Sequence, residues 1–598
     1  MDEEEAATSD ETISELIDQY TVSGQTKSAL LWAEKRLALS NGKGIAPIVS
    51  YLKALTAAAE WDRVVAFCER LNLSQKHRVF RYFLANALYK LKMYEPLVEM
   101  ISAQQFDDAS PLIRFVDNDG ASASHQLTDA ETAHVDSLVS ALKTDSLTYL
   151  LLGKSYLKLE NRPEAANWFR ECLTKDPTCL EALDSILAHN LFSNKELNTV
   201  LSQIPVETQC KPDLMKLVRH IYALNSRVGG AKIDGFNATT ASARALIARD
   251  LSTRTREAQR LYNKGDTREA YRLSSSVLLE EGLYAECLPI HLVLLVELNK
   301  SNELFMLAHR LVDRIPDNAL SWYAVGCYYF SINNLATAKR FLCKSTMMNQ
   351  NFGGGWILFG HVFAKEGEHD QAMNCYLKAT RLLAGCYEPL LYIGMEYAFA
   401  NNNQLASDFL KQSADIAGED ARVLHEQGCL AFCLRKDYDE ADRLFRKALR
   451  LVYGAEEKAD VRALISRSLA ESWEPLVNNL GHVSRKLARF DDAIAFHRKS
   501  LLMCPRRAST LSALGVAYIA NGQLEMGIDS LHQSLSLTPG DPVAKFLLKT
   551  ALELIDKHAS NWSNGPALTA DPKPRIEPEP IFKIGRRATR SSQRFASF

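Results

Sequence analysis

Along most of the chain, apolar residues recur at three- and four-residue intervals, the spacing that gathers them on one face of an α-helix. The amphipathic stretches come in pairs joined by short polar turns, such as Lys365-Glu366-Gly367-Glu368 and Asn401-Asn402-Asn403. The pairs keep a fixed step. An anchor residue on the first helix, usually small, falls at Ala258, Leu292, Gly326, Gly360, Gly394 and Gly428, each 34 residues after the last. Beyond an insertion, Gly481 and Gly515 repeat that step, and an earlier unit centres on Gly153. A generic helical bundle has no reason to hold such a period, whereas a stacked array of helix pairs does.

The other side chains are registered on these anchors. Around Gly360 stand Trp356, Phe363, Ala372, Tyr376 and Ala379, and around Gly326 stand Trp322, Tyr329 and Ala338. Gly394 is followed by Tyr397 and Ala406, Gly481 by Ala493 and Pro505, and Gly515 by Tyr518 and Pro539. Gly153 carries Tyr149, Tyr156, Ala165, Phe169 and Pro177. This pattern resembles the tetratricopeptide repeat. Small residues on both helices allow close approach, aromatics fill the space between units, and Pro stops the second helix because it has no N–H to donate. The packing set is therefore Gly326, Ala338, Gly360, Ala372, Gly394, Ala406, Gly481, Ala493 and Gly515. The expected fold is all-α, a tetratricopeptide-repeat solenoid with antiparallel helix pairs wound into a right-handed superhelix. No single pair can bury its own apolar face, so the units must stack.

The weaker stretches divide the rest of the chain. Residues 1–11 are acidic and read as disordered, and 12–116 as N-terminal helical repeats. Three hairpins are expected there: Ile13–Tyr20 with Ser28–Leu39, Ile48–Cys68 with Trp61 in the turn, and Tyr82–Met100. Residues 117–135 are polar and read as a mobile loop. Partly degenerate repeats fill 136–224, a linker and helix 225–250, and the main superhelix 251–557. Two irregularities interrupt the superhelix. One is an extra residue before Ala441, placed in the turn Arg435–Asp439. The other is the insertion 454–472, expected to extend a helix and a loop. Residues 558–598 are rich in Pro, Ser and charge and read as a disordered tail. Its basic run Lys583, Arg586, Arg587, Arg590 and Arg594 is read first as solvated, with nuclear import, phosphate contact or phosphorylation at Thr589 as the functional alternatives.

Composition narrows the function. Seventy Lys and Arg against 72 Asp and Glu give a formal charge of −2, which provides no general attraction to nucleic acid or anionic lipid. The most apolar stretch, Leu288–Leu298, is too short to span a bilayer and reads as a buried helix. The acidic start is unlike a signal peptide. Twelve cysteines are scattered without a CxxC pair or zinc-finger spacing, as expected for reduced thiols in the cytosol or nucleus. Cys429 and Cys433 share a helix face, but the pair is read as reduced buried thiols, for want of His or Cys at zinc-site spacing, rather than as a metal site, and no metal and no cofactor is expected. No phosphate-binding loop, HExxH or GxSxG is present. Gly353-Gly354-Gly355 reads as the opening of the Trp356 helix rather than an anion site. The expectation is a binding scaffold, not an enzyme.

A groove lined by the first helices would present the residues three before and one after each anchor. These are Tyr323 and Cys327, Ile357 and His361, Leu391 and Met395, His425 and Cys429, Asn478 and His482, and Ser512 and Val516. This mixed surface suits an extended peptide or a helix. A chaperone adaptor of the carboxylate-clamp type needs Asn at the second of these positions. Here they hold Gln259, Val293, Cys327, His361, Met395, Cys429, His482 and Val516. A tetratricopeptide co-chaperone, or another peptide-binding adaptor, is therefore the second choice.

Several runs resemble a narrower family. They are Leu298–Phe305, Leu311–Asp313, Ser321–Tyr329, Glu368–Met373, Leu391–Tyr397, Trp473–Val483 and, near the start, Ser28–Lys35. Together they are similar to subunit six of the anaphase-promoting complex, the cell-division-cycle-sixteen type. The resemblance spans residues 12 to 550 and is strongest from 285 to 540. It implies a non-catalytic scaffold of a multisubunit ubiquitin ligase that acts in mitosis, located in nucleus and cytoplasm. It further implies homodimerisation through the N-terminal repeats, with Ala29, Trp32 and Ala33 at the interface. Other tetratricopeptide subunits of the complex would be partners. A small accessory subunit of the cell-division-cycle-twenty-six type would lie in the C-terminal groove against Tyr323, His361, Tyr392, Glu396, His425, Asn478 and His482.

Overall fold

The computed structural model of the chain describes residues 3–40, 45–73, 78–102, 143–225, 250–456 and 460–562. The expected loop 117–135, most of the linker 225–250 and the basic tail beyond 562 lie outside these residues. Among the described residues the secondary structure is helical throughout, without a strand. The chain divides into two compact units. The first comprises Met1–Leu191 and Thr199–Tyr222, and the second Phe192–Asn198 and Ala223–Phe598.

Each hairpin closes in the same way. The residue seven after the anchor adopts a left-handed backbone. This holds at Gly24, Ala59, Lys92, Glu160, Asn190, Gly265, Asn299, Asn333, Gly367, Asn401, Ala488 and Gly522. The next amide donates back to the carbonyl three after the anchor, as in Asn334 N to Tyr329 O at 2.9 Å, Glu368 N to Phe363 O at 3.0 Å and Asn402 N to Tyr397 O at 2.9 Å. This arrangement ends a helix while satisfying its last carbonyls. The donating residue then caps the second helix, and Asn161, Asp266, Asn334 and Asn402 accept from the amide three residues on. The device extends to the N-terminal hairpins. With it, Ile17, Leu52, Ala85 and Leu183 can be recognised as anchors.

The small anchors meet a large side chain sixteen positions later. A β-carbon on Gly360 would lie 2.4 Å from Tyr376 Cε1, on Gly326 2.6 Å from Leu342 Cδ2, and on Gly153 2.6 Å from Phe169 Cε1. Gly481 faces His497 and Gly515 faces Leu531 in the same way. Ala338, Ala372, Ala406 and Ala493 of the second helices are fully buried beside these contacts. A second link recurs nineteen after the anchor. Ser345, Ser413 and Ser534 donate to the carbonyls of Ala319, Tyr387 and Ala508, and Cys172 donates to Ser146. Each ties the end of the second helix to the start of the first.

Three expectations change. Residues 3–11, expected to be disordered, form the first turns of helix Glu3–Val22, and the last helix runs from Pro542 to Trp562, past the expected boundary at 557. The extra residue of the Gly428 unit does not lie in the turn. It is absorbed one step earlier as a single turn of π-helix, Ala431–Arg435, so that the left-handed residue becomes Lys436 and the closing bond runs from Asp437 N to Ala431 O. The partner of Gly428 correspondingly moves to Phe445, seventeen later. One inserted residue is cheaper to hide as a wide helical turn than to pass through a turn whose caps are fixed on both sides. Within the insertion, helix Tyr438–Tyr453 ends at left-handed Gly454, and a short helix, Val461–Ile465, follows.

In the second unit the array curls back on itself. Ser472 Oγ donates to the Gly265 carbonyl at 3.0 Å, and Arg268 pairs with Glu471 at 2.8 Å. The insertion thus returns the chain to the first turn of this unit. Helix Leu288–Glu297 is apolar on all sides and buried, as its sequence suggested, and no helix of the described residues is long and apolar enough to cross a membrane.

Candidate functional site

First helices of neighbouring repeats converge on a pocket in the second unit. Leu391, Tyr392 and Met395 come from helix Glu388–Phe399, and Arg422, His425 and Glu426 from helix Ala421–Leu430. Ser472 and Trp473 end the insertion, and Pro475 and Leu476 open helix Glu474–Lys486. The lining is mainly apolar, with the cation of Arg422, the carboxylate of Glu426, the imidazole of His425 and the hydroxyls of Tyr392 and Ser472. A pocket of this kind holds an apolar group and orients the polar groups beside it.

The polar members are held from behind. Arg422 Nη1 donates to buried Glu388 Oε1 at 2.7 Å, and Tyr387 donates to Asp420 Oδ2 at 2.8 Å next to it. His425 Nδ1 meets Glu426 Oε1 at 2.9 Å, and its Nε2 meets Asn479 Nδ2 at 2.9 Å. Asn479 also reaches Cys429 Sγ at 3.4 Å. His425, Glu426 and Cys429 place one ligand-type atom each within 4.8 Å of one another. Burial pushes the Cys429 thiol well up, and its sulfur lies 3.8 Å from His425 Nε2, with Asn479 Nδ2 touching both. His425 and Glu426 thus stand beside Cys429 as ligand-type neighbours that the reading from cysteine spacing did not count, and together with Asn479 they form a hydrogen-bond network.

The residues named from sequence separate into three groups. Tyr392 and His425 line the pocket. Asn478 and His482 are half-buried and face their own second helix: Asn478 Oδ1 meets His497 Nδ1 at 2.9 Å, and the His482 and His497 rings meet edge to face at 4.9 Å. Tyr323, His361 and Glu396 are buried in the packing between repeats, not offered to solvent. Tyr323 sets its ring against Phe352 at 5.1 Å, His361 Nδ1 bonds the Tyr376 hydroxyl at 2.8 Å, and Glu396 Oε2 meets His369 Nδ1 at 2.5 Å. The array curls tightly enough that these first-helix positions contact the next repeat. Desolvation pushes Glu396 up against the opposing pull of His369, and it holds His361 down to about 3.

Met395 lines the pocket from the expected position one after the anchor, while Arg422, Glu426, Ser472, Trp473 and Leu476 were not singled out. The signal for Trp473 and Leu476 was present, since they fall in a run that resembled the family. The position two before the anchor, occupied by Tyr392 and Glu426, is the one a geometric rule would add. Gly353–Gly355 open helix Gly353–Glu366, as read from the sequence, and are packed closely: β-carbons on Gly353 and Gly355 would meet Leu383 at 2.7 Å and Phe352 at 2.8 Å.

At the other end, Ala29 and Ala33 are fully buried inside the first hairpin, so neither is at a surface. They face the partner helix because small residues four apart make the close side of a helix pair. Trp32 remains 40% exposed beside Leu31 at 61%.

A tetratricopeptide repeat family model matches residues 147–179 and 354–382, the windows around Gly153 and Gly360. The chain is 33% identical over 553 residues to cell division cycle protein 16 homolog of Mus musculus, covering 91% of this chain and 84% of that one. It is 29% identical over 535 residues to anaphase-promoting complex subunit 6 of Arabidopsis thaliana, covering 88% and 93%. The crystal structure of the APC/C hetero-tetramer Cut9–Hcn1 contains a chain that superposes with a TM-score of 0.69 at 25% identity, covering 91% of this chain and 96% of that one.

Proposed function

The chain belongs to the cell division cycle protein 16 family, subunit 6 of the anaphase-promoting complex, and on that premise we propose how it serves the complex as a non-catalytic scaffold. It homodimerises through its first hairpins and holds the extended N-terminal segment of a small accessory subunit along the first helices of its second unit. The pocket between Leu391 and Trp473 supports this reading, because successive repeats and the returning insertion build one open, mixed apolar and polar site. The Cut9–Hcn1 hetero-tetramer supports a two-protein assembly of higher order for the relative. On the first hairpin, Trp32 with Leu31 and Val22 is the apolar surface available for a second copy. Nuclear and cytoplasmic residence follows from this role.

The binding test replaces Met395, which lines the pocket and is only half-buried. Met395→Arg brings a second cation beside Arg422 into an apolar site. Titration with a labelled N-terminal peptide of the small subunit is expected to show affinity weakened by at least tenfold, about 1.4 kcal/mol. The circular dichroism of the array should stay unchanged. Equal affinity of the two proteins would place the peptide elsewhere.

A further inference from the structure

Helix Ala421–Leu430 and helix Glu474–Lys486, on either side of the insertion, bring four polar side chains together beside the pocket. His425 and Cys429 are four apart on one helix face, and Asn479 reaches both from the other helix. Asn479 Nδ2 donates to His425 Nε2, which is therefore the lone-pair nitrogen, and the Nδ1–H of the same ring donates to Glu426 Oε1 at 2.9 Å. A metal-binding imidazole is held in this way, with a carboxylate on its second nitrogen. Among the described residues, His425, Glu426 and Cys429 are the one group of three ligand-type side chains this close together.

Cys429 Sγ lies 3.8 Å from His425 Nε2, and the Asn479 amide atom lies 2.9 Å from that nitrogen and 3.4 Å from the sulfur. Bonds of about 2.0–2.3 Å from a tetrahedral Zn²⁺ to N, O and S place its ligand atoms about 3.3–3.6 Å apart. The triangle therefore needs only small adjustments to surround such an ion. A half-turn of the Asn479 amide puts Oδ1 where Nδ2 stands, replacing a donor by a ligand oxygen at the same point. We propose that His425 Nε2, Cys429 Sγ and Asn479 Oδ1 form a zinc site, with Glu426 orienting the imidazole and water from the pocket as the fourth ligand. Imidazole and thiolate suit a borderline-soft divalent ion, whereas Mg²⁺ and Ca²⁺ take oxygen ligands. Burial pushes the Cys429 thiol well up, so it keeps its proton until the ion arrives. Coordination forms the S–Zn bond and releases that proton to water. The ion staples the repeat before the insertion to the repeat after it, across the break in the 34-residue step.

The test uses the full-length chain, stripped with a chelator and kept reduced. The small subunit is left out, so the outcome does not depend on where its peptide binds. Co²⁺ is added as an optical stand-in for Zn²⁺, unbound ion is removed by gel filtration, and retained metal is counted by mass spectrometry. The expected result is one ion per chain, with the near-ultraviolet charge-transfer band of a cobalt–thiolate bond, and loss of that band when Zn²⁺ displaces Co²⁺. Cys429→Ser and His425→Gln should each weaken Co²⁺ binding at least tenfold while the helical circular dichroism stays unchanged. Asn479→Asp keeps the size and supplies a carboxylate oxygen, so it should retain the ion, whereas Asn479→Leu should lose it. This pair decides even where a variant on the other helix unfolds. A wild-type chain that retains no ion would overturn the site, as would a band that survives in Cys429→Ser, which marks an adventitious ion on another of the twelve cysteines. Equal retention by Asn479→Leu and wild type would overturn the place of Asn479 among the ligands.

Discussion

Gly360 shows how much a single residue decides in this array. A β-carbon there would meet Tyr376, a fully buried ring that is hydrogen-bonded to His361 and packed on Tyr392 at 5.5 Å. The ring has nowhere to go. Overpacking costs about 1–3 kcal/mol, against a gain of about 1 kcal/mol in helix propensity, so Gly360→Ala is expected to lower the thermal midpoint. Gly540, where a β-carbon would meet nothing, is the control, and Gly540→Ala should not lower it. The histidines give a second residue-scale prediction. Burial holds His361 and His482 down to about 3 and His291 down to about 4, so the folded chain keeps them neutral. The unfolded chain takes up these protons below about pH 6.5, so stability rises with pH between the folded and unfolded values and is lost on acidification. Denaturant unfolding at several pH values between about 6 and 4.5 should show this slope. His361→Gln should reduce it by about 1.4 kcal/mol per pH unit. The anchors were legible as small residues at a fixed step. Their partners sixteen later were legible at Tyr376 and Phe169, where an aromatic stands, but not at Leu342 and His497, which share size with them but not chemistry.

At the scale of the element, the turn is the recurring unit of construction. The left-handed position was already written in the sequence at Gly265, Asn299, Asn333, Gly367, Asn401 and Gly522, since Gly and Asn tolerate that backbone. It was hidden at Ala59, Lys92, Glu160, Lys436 and Ala488, where the closing hydrogen bond and the cap impose it on ordinary residues. This explains why the N-terminal hairpins read weakly although they are built alike. Gly367 has the widest angle of the superhelix turns after Gly265, at φ 88°. Gly367→Val should destabilise by about 1–2 kcal/mol because a β-branched residue resists this region. Asn401→Gly, at φ 57°, should leave the unfolding midpoint nearly unchanged. Equal effects of the two substitutions would mean that the turn does not depend on backbone conformation. The π-helical turn Ala431–Arg435 could not be read from the sequence. An extra residue shows in the spacing, but where the helix widens depends on which caps hold.

For the whole molecule, a 34-residue period was enough to give the array. The site was only half legible. Helix geometry placed Leu391, Met395 and His425 on one face, but the pocket is completed by Ser472 and Trp473, brought in by an insertion with no repeat register. Closure through Gly265 and Arg268 is a long-range contact that no local pattern encodes. The burial of Tyr323, His361 and Glu396 has the same origin, since it depends on how tightly successive repeats curl. The most direct test of dimer and groove together is native mass spectrometry of the chain co-expressed with the small accessory subunit. The account predicts two copies of each protein in one particle. Met395→Arg should leave a dimer of this chain without its partner, and Trp32→Glu should leave one-to-one pairs. A monomer that retains the small subunit in wild type, or a partner still bound to Met395→Arg, would contradict it.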